Sequence, residues 1–80
     1  MTEHAARIEL ADPQAQLLED IATPAMKRRD VAMTYRLALR GAGRVDWPAV
    51  NRAIIARWSL SGLDWIKREA FKAAPGEGDQ

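Results

Sequence analysis

Asp46-Trp47-Pro48-Ala49-Val50-Asn51-Arg52-Ala53-Ile54-Ile55-Ala56-Arg57-Trp58 spaces its large apolar residues with the period of an α-helix. At about 100° per residue, Trp47, Val50, Ile54 and Trp58 fall in one stripe, with Arg52 and Ala56 behind it. Asp46 is an N-cap acceptor, and Pro48 sits in the first turn, where its missing N–H costs nothing. The two indole rings supply much of the apolar area of so small a chain.

The same punctuation recurs on either side. Asp12-Pro13 reads as an N-cap followed by proline, opening a short helix through Leu17, Leu18 and Ile21. Thr23-Pro24 repeats the signal and opens a longer helix through Met33, Leu37 and Leu39. That helix stops at Gly41, with Arg40 in its last turn. Gly41-Ala42-Gly43-Arg44 is a loop. Ser61, with Asp64 three residues on, is a capping-box-like pair that opens a fourth helix through Leu63, Ile66 and Ala70 to about Ala74. Ile8 and Leu10 alternate with Arg7 and Glu9 over too few residues to found a sheet.

The expectation is an all-α fold, a small compact bundle of about four helices in a single domain over residues 1–74. Residues 1–12 are a frayed or packed arm, and the polar residues 75–80 a disordered tail. In the second helix Val31, Tyr35, Ala38 and Leu39 share one broad face, and Met26, Met33 and Leu37 form a stripe opposite. Such a helix is either sandwiched between neighbours or uses its methionine stripe to form a homo-oligomer.

Composition excludes several function classes. With no cysteine, the chain has no disulfide, thiolate metal site or cysteine nucleophile. The single histidine is His4, and no Gly-rich phosphate loop, Ser/His/Asp set or His/carboxylate metal spacing is present. An enzyme is therefore not expected, nor is a cofactor or a bound metal. Glu19-Asp20 and Glu77/Asp79 read as solvated charge. The N-terminal residues lack the basic start and apolar run of a secretory signal, and no segment has the roughly 18 apolar residues of a membrane span. A cytoplasmic protein with no membrane partner is expected.

Charge is distributed unevenly. From Lys27 to Lys72 there are eleven Lys/Arg and four acids, a net of 11 − 4 = +7. Residues 1–25 carry five acids and one Arg, a net of −4, and residues 73–80 add −2, so the overall +1 hides a basic body between acidic ends. Such a field attracts phosphate or an acidic protein surface. Cations in the first turns of a helix oppose its dipole, so helix stability does not explain Lys27-Arg28-Arg29. Together with Arg36, Arg40 and Arg44 they are candidate phosphate contacts, and Arg29, Arg36 and Arg40 share one side of their helix.

Trp65 projects away from the Leu63/Ile66/Ala70 stripe, beside Arg68, Glu69 and Lys72. It is either a contact residue for a partner or is covered by the N-terminal segment, through Ile8, Leu10 or the first helix.

The segment from Val50 to Lys72 resembles a helix-turn-helix. Ala53 takes the small position in the first helix, Ala56, Trp58 and Leu60 flank the turn, and Leu63 and Ile66 form the inner face of the second. The run Arg57-Trp58-Ser59-Leu60-Ser61 is similar to the turn of small excisionase- or repressor-type modules. It departs in having Arg57 where glycine is common, Asp64 early in the second helix and Trp65 at a groove position. The resemblance implies DNA binding, with Ser61, Trp65, Lys67, Arg68 and Lys72 on the element that approaches the groove. Val45-Asp46-Trp47-Pro48-Ala49-Val50-Asn51, with Arg57-Trp58-Ser59 and Ile66-Lys67, also resembles short proteins encoded by phages and prophages. That likeness implies an accessory or regulatory protein that can meet a host factor. The expected partner is nucleic acid, DNA in the first instance, or an acidic protein anchored on Trp65.

Overall fold

The computed structural model describes residues 12–41 and 43–72. They form α1 (Pro13–Ala22), α2 (Arg28–Arg40) and α3 (Trp47–Phe71), with no strand among them. All three pairs of helices touch, α2 and α3 most extensively.

Local chemistry starts each helix. The Asp12 carboxylate accepts from the Ala15 N–H at 3.1 Å, and the Asp46 carboxylate from the Ala49 N–H at 3.2 Å. Each N-cap is followed by a proline in the first turn, as the sequence leads one to expect. α2 differs. Thr23 closes α1 instead of opening α2, because its hydroxyl donates to the Glu19 carbonyl at 2.7 Å. The second helix begins five residues later, at Arg28, where the Lys27 N–H donates to the Asp30 carboxylate at 2.9 Å. It ends at Arg40 with Gly41 as C-cap, as expected.

The core draws on every helix. Leu17, Val31, Val50, Ile54 and Ile66 are wholly buried, with Ile21, Ala32, Tyr35, Ala38, Leu63 and Ala70 around them. Trp47 and Trp58, expected in the core stripe, are half-buried and pack on its edge. The Trp47 ring lies 4.7 Å from that of Tyr35, tilted by 44°. One face of α2 is buried. The other carries Met33 at 60% exposure, and among the described residues no second layer covers it. Met26 precedes α2, so the expected Met26/Met33/Leu37 stripe is not a seam along one helix.

The all-α expectation holds, and the described residues form three helical elements, the last of which is kinked. Residues 47–71 are two helices that run together across a kink at Ser59, with φ 69° and ψ 175°. The break lets both halves reach one core, Val50 and Ile54 from the first, Leu63, Ile66 and Ala70 from the second. Gly62 permits it, since a Cβ there would collide with the Trp58 Cβ. Ser61 does not act as the expected cap, and its hydroxyl lies 3.0 Å from that of Ser59.

Asp20 corrects a second expectation. Only 7% exposed, it is not solvated charge. Its carboxylate accepts from the Thr34 hydroxyl at 2.7 Å and the Gln16 amide at 2.8 Å, joining α1 to α2 in a satisfied polar contact.

Candidate functional site

α2 carries Arg29, Met33, Arg36 and Arg40 at successive turns of its outer face, so the basic ridge read from periodicity is one side of the helix. The second half of α3 runs alongside. Between them lies a groove of about 320 Å³. Ala32, Met33 and Trp65 give it an apolar wall; Arg29, Arg36 and Lys72 give it positive charge; Glu69 is its one acid. A neighbouring hollow of about 440 Å³ is lined by Lys27, Arg28, Arg57 and Trp58, among others, and shares Arg29 and Trp65 with the first.

Trp65 is half-buried, packed against the core. The Arg28 guanidinium lies over its ring, 5.0 Å from the centroid, a cation–π contact. α2 thus supplies cover that one of the two sequence readings gave to the N-terminal segment. Ile8 and Leu10 themselves lie outside the described residues. The cations beside Trp65 come from both elements, Arg28, Arg29 and Arg36 from α2 and Lys72 from the end of α3, whereas Arg68 lines neither hollow.

Six of the eleven residues singled out from sequence meet here: Lys27, Arg28, Arg29, Arg36, Trp65 and Lys72. Two are engaged. Arg36 donates to the Lys72 carbonyl at 2.7 Å, closing the C-terminal end of α3, and the Lys72 ammonium pairs with Glu69 at 3.1 Å. The remaining five line neither hollow. Arg40 closes α2, Arg44 is in the loop before α3, and Ser61, Lys67 and Arg68 are exposed along the second half of α3.

Sequence reasoning missed Arg57, whose guanidinium reaches four backbone carbonyls. One guanidinium nitrogen donates to the carbonyls of Ile21 (2.8 Å) and Thr23 (3.0 Å), the other to those of Pro24 (3.1 Å) and Met26 (2.6 Å). Its carbon sits 4.1 Å from the Trp58 ring centroid. The planar fork holds the end of α1 and the chain leading to α2, where unsatisfied carbonyls and the negative end of the dipole attract a cation. No local pattern announces a contact made across more than thirty residues. Ala32, Met33 and Glu69 also line the groove without having been picked out for it.

Tyr35 is buried in the core. Burial pushes its phenol above the ordinary tyrosine range, and its hydroxyl donates to the Asn51 carbonyl oxygen at 2.9 Å. Among the described residues no three His, Cys, Asp or Glu side chains gather as metal ligands, and no helix is long and apolar enough to cross a membrane. No protein-family model matches this chain, and neither a curated protein nor a solved structure resembles it.

Proposed function

We propose that this chain is a small nucleic-acid-binding accessory protein that holds phosphates on the α2–α3 face. The observation that carries the reading is the clustering of Lys27, Arg28, Arg29, Arg36 and Lys72 around a half-buried Trp65. A cationic groove with an aromatic wall offers a backbone its counter-charge and a base its stacking surface. In this reading α3 contributes its groove-side residues and does not act as a recognition helix inserted behind a multi-residue turn. Arg44, Lys67 and Arg68 add to the general field without lining the site.

The test is fluorescence anisotropy of labelled nucleic acid, duplex and single-stranded, between about 50 and 200 mM salt. Binding should fall steeply with salt. Arg29→Ala with Lys72→Ala removes one cation from each wall and should flatten the logarithmic salt slope by roughly 0.7–0.9 per lost contact. A slope unchanged by that pair removes this face from the proposal.

A second reading, a module that docks an acidic protein, is favoured by the exposure of Met33 at 60% beside Trp65. It predicts that Trp65→Ala costs about 2 kcal/mol of binding while single cation changes cost little.

A further inference from the structure

We infer that the groove beside Trp65 receives an unpaired base, so that the nucleic acid bound on this face is single-stranded; the inference rests on the nucleic-acid reading above. The two hollows that meet at Trp65 differ in one respect. Arg28, which covers the indole at 5.0 Å, belongs to one of them and is absent from the lining of the other. In the hollow without Arg28, the indole stands beside Ala32 and the flexible, exposed thioether of Met33. That is a flat ring with an adaptable apolar neighbour, suited to any base because every base has a π-face.

Shape separates single strands from duplexes. A duplex presents phosphates on a convex rod and keeps its bases stacked inside, so it meets a concave groove only at the rim and leaves Trp65 without a partner. Reaching a base within a duplex requires flipping it out at the cost of unstacking. A single strand already offers each base and its phosphate together. Arg29, which has no hydrogen bond or ion pair among the described residues, and Lys72 stand on opposite walls to take the flanking phosphates. Glu69, the groove's one acid, offsets one of its three cations, so the lining keeps a net charge of 3 − 1 = +2.

Three short end-labelled ligands of equal phosphate number test the idea on the intact chain at low salt: a mixed-sequence single strand, a duplex, and an abasic single strand. The single strand should bind roughly tenfold more tightly than either of the others, a ratio within the usual worth of one stacked base. Trp65→Ala should abolish that preference, and Trp65→Phe, which keeps a ring in the packing, should retain part of it. Duplex or abasic ligand binding as tightly as the single strand overturns the inference and leaves the phosphate reading standing. Failure of all three to bind overturns both and points to an acidic protein. The ligand comparison needs no variant, so a Trp65→Ala chain that misfolds does not blunt the test.

Discussion

Replacing Arg57 with Met keeps the aliphatic stem and the helix propensity but deletes the fork that holds four carbonyls. Hydrogen bonds to a charged donor contribute about 1.5–3 kcal/mol each in net terms, but four bonds from one group are not additive, and that to Pro24 is exposed to water. Counting two at the lower value gives about 3 kcal/mol, and the lost contact with the Trp58 ring adds about 0.5 kcal/mol. A domain of this length has a total stability of roughly 4–12 kcal/mol, so the change removes a large part of it. Urea unfolding followed by circular dichroism should show a lower midpoint with unchanged slope, and the melting temperature should fall by roughly 15–25 °C. Arg57→Lys keeps the charge on a single nitrogen that cannot span carbonyls from Ile21 to Met26, and should recover no more than half the loss. Stability of Arg57→Met within about 0.5 kcal/mol of the parent would refute the clamp.

Two further changes probe the backbone and the core. Ser59 holds a φ of 69° that glycine adopts without cost, so Ser59→Gly should stabilise the chain by about 1 kcal/mol and raise the melting temperature by roughly 4–8 °C. A fall in stability would mean that the kink is not held at this residue. Tyr35, the single tyrosine, stays protonated in the fold at pH values where the unfolded chain has ionised. Above about pH 10 the unfolded state therefore binds fewer protons, and stability falls as pH rises; below that pH the contribution is fully present. Tyr35→Phe should flatten this alkaline decline while costing about 1 kcal/mol at neutral pH through the Asn51 bond, and an unaltered decline would assign it elsewhere.

What the sequence disclosed was local. Asp12 and Asp46 are legible as caps because each side chain reaches a backbone N–H only three residues away. Gly41 is legible as a stop for the same reason of proximity. The start of α2 is not. Thr23-Pro24 is an N-cap signal that α1 uses as its own end, and the capping of α2 comes from Asp30 reaching back to Lys27, whose residue type carries no capping signature. Ser59 hides the kink because a positive φ is normally advertised by glycine, and the glycine here, Gly62, lies three residues on, where it relieves crowding instead of supplying the angle. The grouping of Trp65 with α3 cations follows from helical spacing alone. Its contact with Arg28 depends on how α2 crosses α3, which no single stretch encodes.

Charge counting has the same limit, and the structure turns it into a testable division. Of the cations behind the +7, Arg57 and Arg36 serve carbonyls near helix C-terminal ends, whereas Arg29 stands on the groove with no hydrogen bond or ion pair among the described residues. Asp30 and Asp46, half of the acids in the same stretch, are turned to backbone N–H groups at helix starts. The formal excess therefore mixes charges that hold the fold with charges that remain for a partner. Arg57→Met should lower the melting temperature while the chain that remains folded keeps its salt slope for nucleic acid. Arg29→Ala should do the reverse, because an exposed cation with no partner among the described residues contributes little to stability. If both variants move both readouts together, the cations act as one undivided field, and the assignment of separate roles to Arg57 and Arg29 fails.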